Sequence, residues 1–204
     1  MRTAALRVIP TVVLCTLLAA PAAAQVDVGF KAGVSVSRFA LTPTPPDVVF
    51  GRTESTLGLF AVWPTQRRVD WQLEMMVSPA GSRIETADER AEFRLTYLDL
   101  APLARATLTH LRRGDLYALA GPSFGLLLNA TEVEFEDDER KVENVDDLFT
   151  TLDLGLTVGL GLDLGRLVFE GRCRFGFTDV STVPPRVSSE IRNRAITFLG
   201  GFRF

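Results

Sequence analysis

Residues 152–164 read Leu-Asp-Leu-Gly-Leu-Thr-Val-Gly-Leu-Gly-Leu-Asp-Leu. Every even-numbered position in this stretch is aliphatic, and every odd-numbered position is Asp, Gly or Thr. Alternation with a period of two predicts a β-strand with two unlike faces. A strand in a soluble protein usually has ~5–6 residues, whereas one that crosses a membrane needs ~9–11. The length of this stretch therefore predicts a membrane-crossing strand, with one face toward lipid and the other toward a polar interior.

The same alternation recurs along the rest of the chain. The further predicted strands are residues 26–37, 55–63, 69–78, 92–108, 116–129, 167–177 and 194–204. The connections after the second, fourth and sixth strands are short, whereas the others are long and polar. An even number of strands with this asymmetry is typical of outer-membrane barrels with short periplasmic turns. The predicted fold class is therefore all-β, an eight-stranded antiparallel up-and-down transmembrane β-barrel.

Three local patterns refine this prediction. Gly165-Arg166 separates two alternating stretches, which predicts a hairpin with a tight turn. Phe93, Leu95 and Tyr97 share parity with Asp99, so we expect a β-bulge before the outward set that begins at Leu98. Residues 81–91 are expected to form a loop. In contrast, the alternation across 131–136 predicts that the fifth strand continues above the membrane as a projecting hairpin.

The first 24 residues are predicted to be a cleaved signal peptide that precedes the barrel. Arg2 and Arg7 come before an apolar run, and the segment ends in Pro21-Ala22-Ala23-Ala24. A basic start, an apolar middle and an Ala-x-Ala end define such a peptide. The alternative is an uncleaved membrane anchor, which the prolines and the cleavage sequence disfavour. The predicted domains are thus residues 1–24 as the signal peptide and 25–204 as the barrel.

The charge balance and the cysteines exclude some classes of function. Removing residues 1–24 takes away two of the 22 Lys and Arg residues and none of the 25 acidic ones, which leaves a net charge of −5. A mildly acidic chain without a basic stripe argues against a nucleic-acid partner. Cys173 is then the one remaining cysteine, so the mature chain forms no internal disulfide. Its parity places it on the apolar face, where an inert side chain is expected rather than a reactive thiol.

Ten charged residues lie on the face opposite the aliphatic one, and we expect them to line the barrel lumen. They are Lys31, Glu74, Asp99, Arg105, Asp153, Asp163, Glu170, Arg172, Arg174 and Arg203. Eight strands enclose a space that side chains roughly fill, and an unpaired charge in it is costly. We therefore expect Glu170 to pair with Arg172 or Arg174, and Asp153 or Asp163 to pair with Arg203 or Arg105. A filled, ion-paired lumen is favoured over a narrow channel for small solutes, and a soluble lipocalin-like carrier is a weaker alternative.

No catalytic or cofactor-binding site is predicted. The single histidine, His110, lies at a predicted periplasmic turn with no serine nearby in the sequence, so a nucleophile–base pair is not indicated. Residues 130–147 are strongly acidic, and Glu136, Asp137, Asp138 and Glu139 form their densest run. Such carboxylates are potential ligands of Ca²⁺ or Mg²⁺. A solvated charged loop is the favoured interpretation, so no metal is predicted.

Several short motifs resemble those of bacterial outer-membrane β-barrel proteins of the porin family, in their eight-stranded form. They are residues 28–34 (VGFKAGV), 73–74 with 78–81 (LE and SPAG), 97–103 (YLDLAPL), 120–122 (AGP), 159–161 (GLG), 174–176 (RFG) and 202–204 (FRF). The resemblance implies an outer-membrane location in a Gram-negative bacterium, contact with lipid, and insertion by the barrel-assembly machinery. In such proteins a C-terminal aromatic residue is part of the assembly signal, and Phe204 resembles it. The resemblance implies no cofactor and no agreed substrate. A monomer with a structural or surface-interaction role is expected, and its surface ligand is not indicated.

Overall fold

The computed structural model describes residues 26–42, 48–65, 68–85, 90–136, 139–144, 150–179 and 190–204. These residues form ten β-strands, β1 Asp27–Thr42, β2 Val48–Phe50, β3 Arg52–Trp63, β4 Val69–Glu85, β5 Arg90–Leu111, β6 Gly114–Glu136, β7 Glu139–Asn144, β8 Leu152–Leu164, β9 Leu167–Gly176 and β10 Glu190–Arg203. Among the residues described, no helix combines the length and the apolar character needed to cross a bilayer.

Eight of the strands close into a barrel. Their order around the wall is β4-β3-β1-β10-β9-β8-β6-β5, and pairing between β4 and β5 completes the ring. Each pairing is antiparallel. The two remaining strands extend the wall, since β2 pairs with β4 and β7 pairs with β6. The predicted eight-stranded up-and-down barrel is confirmed, and closure leaves its wall without an open edge.

The two ends of the barrel differ in their connections. The tight links β3–β4, β5–β6 and β8–β9 lie at one end, which we call the turn end. Both termini of the described barrel meet there, because the amide of Phe204 donates a hydrogen bond of 2.9 Å to the carbonyl of Val28. In the predicted hairpin Leu164 pairs with Leu167, and Gly165 adopts a φ of 65°. The opposite end, which we call the loop end, carries the remaining connections.

One side of the wall rises beyond the others at the loop end. β5 and β6 contain 22 and 23 residues, whereas β9 contains 10. The predicted projecting hairpin is confirmed, because Thr131–Glu136 of β6 pairs with Glu139–Asn144 of β7. The predicted loop at 81–91 is wrong, since β4 continues to Glu85 and pairs there with Arg90 of β5. We call this extension, formed by β2, β7 and the loop-end parts of β4–β6, the tall wall.

The barrel places apolar side chains outside and charged ones inside. Leu160 and Phe198 are 55% and 59% exposed, whereas Lys31 and Asp153 are 1% and 0% exposed. A water-soluble barrel requires the opposite arrangement, so the soluble-carrier alternative is wrong. At the turn end, Trp63 and Trp71 are directly paired across the β3–β4 hairpin. This position is that of the interfacial aromatic girdle of membrane barrels.

The predicted bulge lies close to its expected place but on the neighbouring strand. Thr96 pairs with Asn129 and Tyr97 with Leu127, so the extra residue is Leu128 of β6. β5 keeps a regular alternation there, and Leu95 and Tyr97 point inward with 1% and 2% exposure. The bulge explains why the alternation of the fifth predicted strand fails near its end, since an extra residue reverses the parity.

Candidate functional site

The lumen contains three groups of ion-paired side chains, stacked from the turn end to the loop end. β9 contributes to two of them, because its inward positions Glu170, Arg172 and Arg174 follow one another toward the loop end. The other members come from β1, β4, β5, β8 and β10. Barrel closure therefore creates the site, and no single hairpin contains it.

The middle layer consists of Lys31, Glu74, Glu170 and Arg172. The Lys31 ammonium lies 2.8 Å from Oε1 of Glu74 and also pairs with Glu170. Arg172 pairs with the same two carboxylates. Two cations and two anions thus form an electrically neutral square, which offsets the cost of removing four charges from water.

Neutral side chains complete the hydrogen bonding of the middle layer. The Tyr117 hydroxyl donates to Oε1 of Glu170 at 2.6 Å, and the Gln72 amide donates to Oε1 of Glu74 at 2.6 Å. The Lys31 ammonium also lies 4.3 Å from the centroid of the Phe60 ring, within cation–π range. Each carboxylate therefore has both an ionic and a neutral partner, which fixes its position.

The turn-end layer consists of Asp27, Arg105, Asp163 and Arg203. Asp163 pairs with Arg105 and lies 3.4 Å from Nη1 of Arg203. The same Arg203 nitrogen lies 3.4 Å from Oδ2 of Asp27. The guanidinium of Arg105 stacks on the Tyr117 ring, 3.7 Å from its centroid. Because Tyr117 also bonds Glu170, it connects the turn-end and middle layers.

The loop-end layer consists of Asp99, Asp153 and Arg174. Nη1 of Arg174 lies 2.8 Å from Oδ2 of Asp153, and Nη2 lies 3.6 Å from Oδ1 of Asp99. The Asn193 amide donates to Asp153 at 2.9 Å, and Nε of Arg174 donates to the Ser123 hydroxyl at 3.2 Å. With two carboxylates and one guanidinium, this is the one layer of the three that carries a net negative charge.

An apolar cluster fills the lumen between the ion pairs of the turn half. Its members are Phe60, Val62, Ala101, Leu103, Tyr117, Leu119 and Val168. Tyr117 fits only because its direct partner across the β6–β8 ladder is Gly161. A Cβ atom at Gly161 would lie 2.1 Å from Cζ of Tyr117. The glycine thus provides the volume that the ring occupies.

Little free space remains inside the barrel. The cavity between the middle and loop-end layers, lined in part by Glu74, Asp99, Arg172 and Arg174, has a volume of about 50 Å³. Because one water takes ~30 Å³ of liquid volume, this cavity is of the size of one or two water molecules.

The structure places all ten residues predicted to line the lumen on the inward face and brings them into the layers just described. Glu170 pairs with Arg172, and Asp163 pairs with both Arg105 and Arg203. Asp153 pairs with Arg174 instead of with Arg105 or Arg203. Sequence reasoning missed the neutral partners Gln72, Tyr117, Ser123 and Asn193. These residues alternate in step with the inward positions of their strands, which was the signal that could have identified them. Their polar or aromatic character alone did not indicate that they bind the luminal charges.

Other predicted features lie away from the lumen or outside the described residues. The signal peptide lies outside them, as do Asp137 and Asp138. Glu136 and Glu139 pair through their backbones in the projecting hairpin. Where the structure describes side chains, no group of three or more His, Cys, Asp or Glu is arranged to hold a metal. His110 is exposed at the turn end, 2.6 Å from Asp115, and Cys173 is a half-exposed free thiol on the outward face.

A family model described as "Outer membrane protein beta-barrel domain" matches residues 20–182, well over half of the chain. The chain belongs to this family. The protein is therefore an integral β-barrel of the bacterial outer membrane, in contact with its lipid, and its lumen is filled largely by charged side chains. No curated protein matches the chain.

Several solved structures are similar to the barrel. The attachment invasion locus protein Ail of Yersinia pestis has a TM-score of 0.46 and 11% identity, covering 87% of this chain and 98% of its own. Neisserial surface protein A has a TM-score of 0.46 and 10% identity, covering 87% and 97%. The outer membrane enzyme PagL has a TM-score of 0.43 and 14% identity, covering 83% and 97%.

Proposed function

We propose that the protein has a structural or surface-interaction role and does not conduct solutes. The observation that carries this proposal is the ion-paired lumen. A permeating ion has to replace its water by protein groups, but the luminal carboxylates and guanidinium groups already bind one another. The apolar cluster adds a second barrier, because a constriction lined by Phe60, Leu103 and Leu119 does not hold a continuous column of water.

Planar-bilayer conductance tests the closed lumen. We expect no stable, reproducible current steps from the purified monomer, because the cavity between the charged layers is of the size of one or two waters. A Phe60→Ala/Leu103→Ala variant is the matched control, since it removes the apolar barrier while keeping every luminal charge. It should raise the frequency of current events. Stable steps from the wild-type monomer would support the alternative function, a narrow channel for small solutes.

The tall wall supports the surface-interaction part of the proposal. From Leu128, the last outward leucine of β6, the strand continues for eight residues to Glu136. At ~3.4 Å per residue, this amounts to ~27 Å of strand beyond the apolar band. An ordered sheet that stands above the outer leaflet on one side of the barrel is accessible to macromolecules outside the cell.

Shortening the projecting hairpin tests this role. Replacing residues 133–142 by Asn-Gly keeps the Glu132–Glu143 pair next to a two-residue turn. We expect the variant to fold, as judged by its heat-dependent gel mobility, and to lose surface partners that nanodisc-embedded wild-type protein retains in a pull-down. An identical set of partners for both proteins would contradict the role of the hairpin.

Biogenesis forms part of the same proposal. We propose that residues 1–24 are a cleaved signal peptide, that the mature domain is a monomer, and that Phe204 is read by the barrel-assembly machinery. The Phe204 ring is 71% exposed and lies 5.7 Å from the centroid of Phe202. Phe204→Ala should lower the amount of folded barrel in the outer membrane of cells, whereas Phe202→Ala, one outward position earlier, should lower it less. Equal effects would argue against a specific signal.

The proposal includes neither catalysis nor a metal. His110 is exposed at the turn end and paired with Asp115, whereas the luminal carboxylates are buried and paired with cations. We expect unchanged acyl patterns in the lipids of cells that lack the protein, and no heat of binding with millimolar calcium in calorimetry. An altered acyl pattern would support an enzyme, and saturable calcium heat would support a site at the acidic run.

A further inference from the structure

Two arginines face each other on the outside of the barrel. Arg38 of β1 and Arg194 of β10 are direct partners in the β1–β10 ladder. Both are exposed, whereas their neighbours Ser37 and Asn193 point into the lumen. Side chains in such a pair have Cβ atoms ~4.5–5.5 Å apart, and like charges there destabilise the sheet. Within the described part of the chain, neither guanidinium has an ion-pair partner, so the pair lacks a compensating anion.

The pair lies where the lipid-facing band ends. Two residues nearer the turn end, the same ladder pairs Val36 with Ile196, which are 41% and 51% exposed. From Val36 down to Val28, the outward positions of β1 are all apolar. On β1 and β10, Arg38 and Arg194 therefore mark the loop-end limit of the apolar band. This is the level of the lipid headgroups in the outer leaflet, where long cationic side chains are stable.

An open groove joins the arginine pair to the apolar surface. It has a volume of about 430 Å³, and its lining includes Val36, Cys173, Phe175 and Ile196 together with both arginines. This volume lies within the usual range for small-molecule sites, ~300–1,000 Å³. Arg174, whose guanidinium pairs with Asp153, also lines the groove. Apart from it, the lining is apolar, with the two outward arginines at the loop end. An anion that carries a hydrocarbon chain matches both parts.

We propose that this groove binds one phosphorylated lipid of the outer leaflet, with its phosphate between Arg38 and Arg194 and an acyl chain along Val36, Phe175 and Ile196. Guanidinium groups bind phosphate oxygens through paired, charge-assisted hydrogen bonds. A bound phosphate also converts the repulsion between the two arginines into attraction to a shared anion. The inference goes beyond the proposed function, because it neither requires nor excludes a closed lumen or a surface partner.

Native mass spectrometry of the mature protein tests the role of the phosphate. The probes are dioleoyl phosphatidate, dioleoylglycerol with the same acyl chains, and inorganic phosphate. We expect phosphatidate to bind about tenfold or more tightly than dioleoylglycerol, and Arg38→Gln/Arg194→Gln to remove that difference. Arg112→Gln/Arg113→Gln is the matched control, since it removes two adjacent arginines from the turn end and should keep the preference. If the first variant does not fold, Arg194→Gln alone should reduce the preference.

Cys173 provides a second readout that requires no substitution, because it lines the groove and is the one cysteine of the mature chain. Phosphatidate should slow its alkylation by N-ethylmaleimide, whereas dioleoylglycerol and inorganic phosphate should not. Equal binding of the two lipids, or an unchanged preference in the Arg38/Arg194 variant, would overturn the proposal. Protection of Cys173 by inorganic phosphate alone would also overturn it, because the site would then be a simple anion site.

Discussion

The two faces of β8 belong to one strand but obey different rules. Leu154, Leu156 and Leu160 face lipid, where an apolar side chain of almost any shape is suitable. Asp153 and Asp163 face the lumen, where each needs a particular cation at hydrogen-bond distance. The outward face is therefore specified by composition and the inward face by pairing. Substitutions should have large effects inside when they remove a partner, and outside when they introduce a charge.

The largest effect should come from removing the Lys31 charge. In Lys31→Met, Glu74 and Glu170 remain buried with Arg172 as the one cation of the middle layer. Breaking a buried ion pair typically costs ~3–5 kcal/mol, because it leaves an uncompensated charge. We expect the free energy of unfolding, measured with urea in phosphatidylcholine vesicles, to fall by about that amount.

Restoring neutrality is the control for this variant. Lys31→Met/Glu170→Gln removes one charge of each sign, so the middle layer keeps one anion and one cation. The double variant should be more stable than the sum of the two single losses predicts. Strict additivity would mean that the two charges do not interact.

A charge on the outward face should have the next largest effect. Val158→Arg places a cation toward the acyl chains, where arginine near the bilayer midplane costs ~2–4 kcal/mol. Val158→Leu at the same site should change the free energy of unfolding little, because only the apolar volume differs. If the arginine were tolerated as well as the leucine, Val158 would not face lipid.

Adding a methyl group should lower the stability more on the inward face than on the outward face, but by less than the charge changes above. Gly161→Ala directs a methyl group at the Tyr117 ring, and overpacking of this kind costs ~1–3 kcal/mol. Gly171→Ala is the matched control, because its Cβ would lie 3.5 Å from the nearest atom, in the outward Phe198 ring. Equal losses of stability in the two variants would show that Gly161 is not needed to accommodate Tyr117.

The smallest effect on stability is expected at a residue that faces neither lipid nor the lumen. The His110–Asp115 pair lies at the turn end with the His110 side chain 83% exposed. Exposed pairs contribute less than ~1 kcal/mol, so His110→Ala should leave unfolding nearly unchanged. A loss comparable to that of Lys31→Met would show that the turn end is coupled to the lumen.

The sequence predicted β8 residue by residue, because strict alternation defines both its faces and its ends. Prediction failed at 81–85 and 90–91, where charged and apolar residues are mixed in a pattern shared by polar loops. β4 and β5 continue through these residues because each has the other as a partner, and backbone pairing depends little on side-chain type. β2 was missed for the same reason, since its three residues form a strand only beside β4.

Parity also predicted which residues enter the lumen, but it did not predict most of their partners. Lys31 is 43 residues from Glu74 and 139 residues from Glu170. Such contacts depend on the strand order and on the register of every ladder between them. Tyr117 illustrates the limit, because its connection of two layers requires both the β6–β8 register and the space above Gly161.

The ladder between β1 and β10 joins residues from opposite ends of the domain, for example Phe30 with Phe202. Until β1 pairs with β10, a folding intermediate has two edge strands with unpaired backbone groups. Either edge can pair with a strand of another partly folded molecule. Refolding at high protein concentration should therefore yield domain-swapped dimers that exchange β10. Refolding at low concentration should favour monomers in which β1 and β10 of the same chain are paired. Covalent cross-linking across this ladder, for instance between Ser35→Cys and Thr197→Cys with Cys173→Ser, would trap these monomers.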